Sequence, residues 1–316
     1  MIGATSQVAV KAVLPAIAAS PSARLTAVAS RSANVPFDGS SVHVHATYDA
    51  LLDDPDVDAV YVPLPNSLHR EWVERAAAAG KHVLCEKPLA TTVRDAEAMA
   101  GACAKAGVTL VEAYMTPFHP RAQAIETLVS SGTLGKLRFA RAAFTGVLDR
   151  HDDHRWRPEM GGGALLDIGI YCIAPVLAAA SRPPVRVAAS VSLASFGVDA
   201  SFSGWLDFGD GFTAAIECSF DAPERQVLEF VGTKGAVDVD RAFTPCPDDT
   251  TFTLRWRDGR CERIVAVGAD PYRMMIEHFR AIVRDGVKPR RSIEETLAVL
   301  AVLERLRDAA AASLHS

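Results

Sequence analysis

Long apolar runs are missing from this 316-residue sequence: the longest, Ile168 to Ala180, has 13 residues and contains Pro175. A membrane-spanning helix needs roughly 20 such residues, so a membrane partner is not expected. Excess charge of one sign is missing as well. The formal net charge is −5, with Lys and Arg scattered along the chain, so no electrostatic footprint for nucleic acid appears. Repeats and low-complexity tracts are absent, and 49% hydrophobic content argues against disorder. Cysteine is sparse and never spaced Cys-x-x-Cys; Cys85, Cys103, Cys172, Cys218, Cys246 and Cys261 read as six free thiols in a reducing compartment. Val8 to Ser20 faintly resembles the apolar region of a signal peptide, but no positive charge precedes it and Lys11 lies inside it. The expected location is cytoplasmic.

What is present is a chain long enough for two domains, at roughly 150 residues each. In the first 115 residues, short β-branched runs (Leu25–Ala29, Ala59–Leu64, His82–Cys85, Thr109–Ala113) alternate with Ala-rich helical stretches (Val10–Ala19, Tyr48–Leu52, Leu68–Ala79, Val93–Ala106). Gly80 and Gly107 stand where helix C-caps belong, each just before a strand. Such alternation predicts βαβ units and a parallel sheet with helices on both faces. After about residue 135 one helical stretch, Gly163–Ala180, precedes grouped strands: Val185–Leu193, Phe202–Phe208, Thr213–Phe220, Gln226–Val231 and Thr251–Trp256, with Leu137–Gly146 ahead of it. Phe208-Gly-Asp-Gly-Phe212 reads as a hairpin turn, and Pro271–Arg284 and Ile293–Ala312 as closing helices. Grouped strands predict an antiparallel sheet. The expected fold is therefore α/β, an N-terminal parallel sheet over 1–117 followed by an α+β domain with an open, mostly antiparallel sheet over 118–316, whose last helix packs back on the first domain.

Met1-Ile-Gly-Ala-Thr-Ser-Gln-Val-Ala9 sits where a first strand turns into a first helix, the place where backbone N–H groups meet a pyrophosphate in dinucleotide folds. Gly3 is the only glycine there, among Ala4, Thr5, Ser6, Gln7 and Val8; a plain tight turn fits the same residues. The next strand ends at Ser30-Arg31-Ser32. An acidic residue at that point selects NAD, whereas Arg suits the 2′-phosphate of NADP, and no carboxylate occurs before Asp38.

Two further segments stand at the C-terminal ends of predicted parallel strands: Tyr61-Val-Pro-Leu-Pro-Asn-Ser-Leu-His69 and Gly80-Lys-His-Val-Leu-Cys-Glu-Lys-Pro-Leu-Ala90. Here the chain closely resembles the glucose–fructose oxidoreductase / inositol dehydrogenase (Gfo/Idh/MocA) family, whose signature is Pro-Asn-x-x-His followed by Glu-Lys-Pro. The resemblance continues through Glu112-Ala-Tyr-Met115, Phe118-His-Pro120, Arg155-Trp-Arg-Pro-Glu-Met-Gly-Gly-Gly-Ala-Leu-Leu-Asp-Ile-Gly-Ile-Tyr171 and Gly232-Thr-Lys-Gly235, nearly the whole chain. It implies a Rossmann domain, a second domain whose open sheet packs in a homodimer or homotetramer, an active site in the cleft between them, and no metal. Lys87 is then the lysine near nicotinamide and substrate, and Asn66 and His69 lie along the cofactor. Leu64, Pro65, Leu68, Glu86 and Trp156 join Gly3 to Val8 and Ser30 to Ser32 as expected cofactor neighbours. Asp167 and Tyr171 are the helix pair of the catalytic site; a spacing of i, i+4 puts both on one helix face. Tyr at the second position matches the branch with dihydrodiol dehydrogenases, xylose dehydrogenases and deoxysugar ketoreductases. The expected partner is a sugar or diol. Two departures stand out: the glycine-poor turn, and a first strand that reads as clipped, since a buried central strand should supply roughly five apolar residues before the turn.

Plainer readings cover the remaining polar clusters. His151-Asp-Asp-His154 reads as a solvated loop, with substrate contact as the alternative. His43 and His45 share one strand face with no third ligand evident. Gly161-Gly-Gly163 reads as a flexible entry to a helix packed close to the cofactor, and Tyr272 as a core residue.

The leading function is NADP-dependent interconversion of a hydroxyl and a carbonyl on a sugar, polyol or diol. A non-catalytic dinucleotide-binding sensor and a nicotinamide-recycling glycosidase are the alternatives on the same scaffold. Hydride transfer needs a group that takes or gives the hydroxyl proton. Tyr171 is the first choice, as a phenol of free pKa near 10 tuned by the Lys87 cation, with Asp167 orienting Lys87 or a sugar hydroxyl. The competing assignment gives the proton to Lys87.

Replacing Arg31 by Asp should weaken NADP binding by about 1.5–3 kcal/mol, the range for hydrogen bonds to charged groups. Fluorescence titration with NADPH and NADH checks it; equal affinity of the unaltered protein for both cofactors refutes it.

Overall fold

Apolar runs in the first 115 residues form buried parallel strands, because helices on both faces leave no side of such a strand wet, and the exposed strand His43–His45 pairs at their edge. In the computed structural model, which describes residues 1–30 and 42–314, these are β1 (Ala27–Ala29), β2 (His43–His45), β3 (Ala59–Val62), β4 (His82–Glu86) and β5 (Leu110–Ala113). β1 pairs with β2, and β4 with β3 and β5, all parallel. The start of the chain joins the two groups. Ala29 N donates to Met1 O at 2.9 Å, Gly3 N to Ala29 O at 2.9 Å, and Ile2 N to Tyr61 O at 3.2 Å. The spatial order is thus β2, β1, Met1–Ile2, β3, β4, β5, with two residues occupying the central position of a doubly wound sheet. Met1's amino group is buried, donates to Ala27 O at 2.8 Å, and has its pKa lowered to about 5 by desolvation.

Helices alternate with these strands: a π-helical turn (Ala9–Val13) running into α1 (Leu14–Ala19), then α2 (Tyr48–Leu52), α3 (His69–Ala78) and α4 (Val93–Ala106). The α4 ends follow from local chemistry. Thr92 Oγ1 accepts from Asp95 N at the start, and Gly107 closes the end at φ +69°, a conformation that costs a residue with a Cβ.

The second part of the chain runs α5 (Pro120–Ser130), β6 (Leu137–Val147), a π-helical turn (Leu165–Gly169) into α6 (Ile170–Ala180), then β7 (Arg186–Leu193), β8 (Asp199–Asp207), β9 (Thr213–Ser219), β10 (Asp221–Gly232), β11 (Gly235–Asp240), β12 (Thr251–Trp256) and β13 (Cys261–Val265). The eight strands make one sheet in the order β13-β12-β11-β10-β6-β9-β8-β7, antiparallel except for the parallel pair β6 and β9. β11 and β13 were not legible as strands, being short and half-exposed. α6 is the buried core helix, with Ile170, Ile173 and Val176 fully enclosed.

Two helices end the chain, α7 (Pro271–Asp285) and α8 (Ile293–Ser313). Two units result: Met1–Met115 with Asp270–Leu297, and Thr116–Ala269 with Ala298–Ser316. The helix that returns whole to the first unit is therefore α7 rather than the last one. A buried ion pair fastens the segment behind it: Arg291 Nη1 lies 2.6 Å from Glu112 Oε2 on β5, and Thr296 Oγ1 donates to the same oxygen at 3.3 Å. The side chains are only 15% and 3% exposed, so neither charge can be left alone cheaply.

Arg291→Met should therefore lower the unfolding free energy by about 3–5 kcal/mol, and adding Glu112→Gln should recover much of that loss. Urea denaturation of the three proteins decides it; a loss under 1 kcal/mol for the single variant would mean that the pair is not effectively buried.

Candidate active site

In the first unit, two loops leave the C-terminal ends of β3 and β4, and the expected residues Leu64, Pro65, Asn66, Leu68, Glu86 and Lys87 lie on them. Their backbones are held from several sides. Glu86 is 8% exposed; its Oε1 accepts from Tyr61 OH at 2.6 Å and its Oε2 from Lys87 N at 3.2 Å. Burial and the Glu86 carboxylate push the Tyr61 phenol well above its ordinary pKa, so it stays a donor. Just past Lys87, Leu89 N donates to Glu112 Oε1 at 2.8 Å. Lys87 itself is half-buried and precedes a cis bond to Pro88.

His69 requires a correction. It is fully buried, with Nε2 2.8 Å from Leu64 O and Nδ1 3.0 and 3.2 Å from Pro88 O and Leu89 O. A ring with no exposed surface does not lie along a cofactor; its single neutral-form N–H donates to one of these carbonyls, and the ring packs between the two loops. Burial also lowers its pKa.

The turn after Met1–Ile2 is tightly packed. Gly3 has φ +68°, and a Cβ there would stand 2.7 Å from Leu64 Cδ2. Ala4 N reaches Ala29 O at 3.4 Å, Ser6 N donates to Gly3 O at 3.0 Å, and Gln7 and Val8 begin the helical winding. Thr5 Oγ1 and Ser30 Oγ hydrogen-bond at 3.2 Å, joining the turn to the end of β1. Arg31 and Ser32 lie outside the described residues.

In the second unit, Asp167 and Tyr171 sit on the stretch that opens with the π-helical turn, a feature that often marks functional positions. Asp167 Oδ2 accepts from Arg155 Nε at 2.8 Å, and Arg155 also reaches Asp153 Oδ1 at 3.2 Å. Asp167, then Asp153, raise the guanidinium pKa further. Asp153 is 8% exposed and bonds Arg150 as well, so within His151–His154 it is a structural anchor rather than a solvated loop residue. Tyr171 is buried with its ring edge-on to Phe144 at 5.5 Å and tilted against Phe243 at 6.3 Å. Trp156, expected beside the cofactor, is a packing residue here: its ring lies 5.4 Å from Phe220 and 5.8 Å from Phe196, and its indole N–H donates to Leu148 O.

Sequence reasoning missed what seats this helix. Leu165 N donates to Asp199 Oδ2 at 2.6 Å, a cap delivered from β8. Gly163 permits that approach, because a Cβ there would be 2.0 Å from Asp199 Oδ1, whereas a Cβ on Gly162 would be 2.3 Å from Arg155 O. Close packing, not flexibility, needs these glycines. The only sequence signal was the run of three small residues itself.

Burial raises the Asp199 pKa from 3.8 to about 6, despite the N–H donors and nearby Arg307. A folded-state pKa above the unfolded one means that the native state binds more protons between these values, so stability falls as pH rises through that window. Wild type should therefore lose about 2 kcal/mol relative to Asp199→Asn between pH 4 and 7. Parallel denaturation series at the two pH values test this; a constant difference would show that the carboxyl titrates normally.

Comparison with known proteins agrees with this geometry. A family model described as "Oxidoreductase family, NAD-binding Rossmann fold" matches residues 1–114, and one described as "GFO/IDH/MocA C-terminal domain" matches 122–238. D-xylose 1-dehydrogenase (NADP(+)) 2 of Haloferax volcanii is 36% identical over 97% of this chain and 95% of its own length. A dTDP-3,4-didehydro-2,6-dideoxy-alpha-D-glucose 3-reductase of Actinomadura kijaniata is 33% identical over 96% of this chain and 93% of its own. The crystal structure of a 3-ketoreductase from Actinomadura kijaniata in complex with NADP and TDP-benzene superposes with a TM-score of 0.91, at 32% identity, over 98% of this chain and 96% of that one. With both halves matched and the same fold recovered, the chain belongs to the Gfo/Idh/MocA family of oxidoreductases.

Proposed function

We propose that this chain, an NADP-dependent oxidoreductase interconverting hydroxyl and carbonyl groups of sugar-related compounds, performs that reaction with Lys87, Asp167 and Tyr171. Bound NADP supplies or accepts the hydride. The residues suited to hold it are the Gly3–Val8 turn, Ser30 with Arg31 and Ser32, and Leu64 to Leu68; Gly3 supports this, because its missing Cβ and positive φ let the turn pack directly against Leu64, bringing two of these segments together.

The observation that carries the assignment is the bracing of Lys87. Glu86 takes its amide proton and Glu112 takes that of Leu89, so the loop bearing the ammonium is fixed on both sides. A cation held in place stabilises a developing alkoxide without reorganising at the moment of reaction. Tyr171 is the proton carrier in this reading, with a ring whose position is set by Phe144 and Phe243. Asp167, paired with Arg155, presents a fixed acceptor for a sugar hydroxyl. A sugar or nucleotide-linked sugar is the substrate class that the xylose dehydrogenase and deoxysugar reductase relatives support. The chain assembles through the open face of its eight-stranded sheet, where Phe139 and Trp205 are 48% and 39% exposed.

Following nicotinamide absorbance against a panel of aldoses, nucleotide sugars and dihydrodiols identifies the substrate. With it, Tyr171→Phe should reduce turnover roughly 10²–10⁴-fold while leaving NADP affinity nearly unchanged. Lys87→Met should also cripple turnover. If Tyr171→Phe stays active while Lys87→Met is dead, the proton belongs to the lysine.

A further inference from the structure

His43 and His45 are two apart on β2, and strand alternation places both imidazoles on one face. The structure supplies the third donor that the local sequence did not show. Asp54, just beyond α2, brings Oδ2 to 2.8 Å from His45 Nε2 and 3.6 Å from His43 Nδ1. All three donor atoms lie within 4.8 Å of one another. We propose that His43, His45 and Asp54 form a binding site for a divalent transition metal of the zinc class, separate from the residues assigned to the redox reaction.

The geometry suits such an ion. Zinc binds imidazole nitrogen and carboxylate oxygen at about 2.0–2.2 Å, which in a tetrahedral site separates neighbouring ligand atoms by about 3.3 Å. The two nitrogen–oxygen distances bracket that value. His43 is 67% exposed and free to rotate, so it can close the longest gap, whereas the other two donors are already seated. Asp54 is held by groups that would not be ligands: its Oδ1 accepts from Asp56 N at 2.9 Å and its backbone carbonyl from Lys81 Nζ at 2.8 Å. That leaves Oδ2 facing the imidazoles, the kind of outer support that orients ligating carboxylates. His45 is fixed through its strand, which pairs with β1 at Ala29. Three protein ligands leave a fourth position for water, and their mix of imidazole and carboxylate favours zinc, nickel or copper over magnesium or calcium.

The exposed thiols Cys246 and Cys261 would also attract zinc, so the test uses the full chain with both replaced by Ser. Calorimetric titration of the chelator-treated protein with zinc chloride should show one ion per chain and a higher melting temperature with zinc present. His43→Gln removes an exposed ligand without disturbing the fold; it should weaken binding by at least the ~10–100-fold typical of losing a group that merely supports a ligand, and leave the zinc-free melting temperature unchanged. Asp54→Asn should weaken it similarly. The proposal fails if the titration shows no stoichiometric ion, or if binding keeps its affinity in both variants.

Discussion

In the first unit, the backbone of the loop that carries Lys87, the lysine proposed to act in the reaction, is fixed by two buried carboxylates. Glu86 and Glu112 each accept an amide proton from the loop that carries Lys87. Carboxylates are costly to bury, so each needs its own compensation. Tyr61 compensates Glu86 through a short hydrogen bond, and Arg291 compensates Glu112 through an ion pair. The return of the C-terminal segment to the first unit follows from this need, because its Arg291 neutralises the second carboxylate. His69, wedged between the carbonyls of Leu64, Pro88 and Leu89, locks the neighbouring loop to the same frame.

The second unit meets a parallel problem in a different way. A helix start leaves backbone N–H groups without partners, and the stretch carrying Asp167 and Tyr171 begins inside the protein where water cannot serve them all. Asp199 fills that role from a strand, and only glycine at 163 lets the carboxylate come so near. Desolvation makes this cap costly enough to raise the carboxyl pKa to about 6. The site's helix is thus seated at some expense in stability at neutral pH, a familiar condition of functional positions.

Much of this was legible from residues alone, and the boundary is physical. Strands with β-branched runs, capped helices and the loops after β3 and β4 could be read because their signals are local. The helix caps at Thr92 and Gly107 are of that kind. What stayed hidden depends on pairs far apart in sequence. Glu112 and Arg291 are 179 residues apart, and Leu165 and Asp199 are 34 apart. No periodicity announces such partners. The π-helical turn at Leu165–Gly169 was equally invisible, since an apolar stretch has the same composition whichever way it winds. His45 and Asp54 lie only nine residues apart, yet α2 intervenes, and its end rather than its sequence decides where Asp54 points.

These contacts also sort the residues of the family motifs by what their atoms are doing. A motif residue whose polar atoms are taken up by backbone groups of its own unit is a scaffold, however diagnostic its presence in the sequence. His69 is one, with three carbonyls around its ring, and so are Glu86 and Glu112. Trp156 joins them through its indole N–H on Leu148 O. Lys87 sits on the loop that those carboxylates immobilise. Within the signature Glu-Lys-Pro, the glutamate fixes the amide of the lysine beside it. The same logic applies to Arg155 and Asp167, where a guanidinium also held by Asp153 orients a carboxylate at the opening of the helix that bears Tyr171.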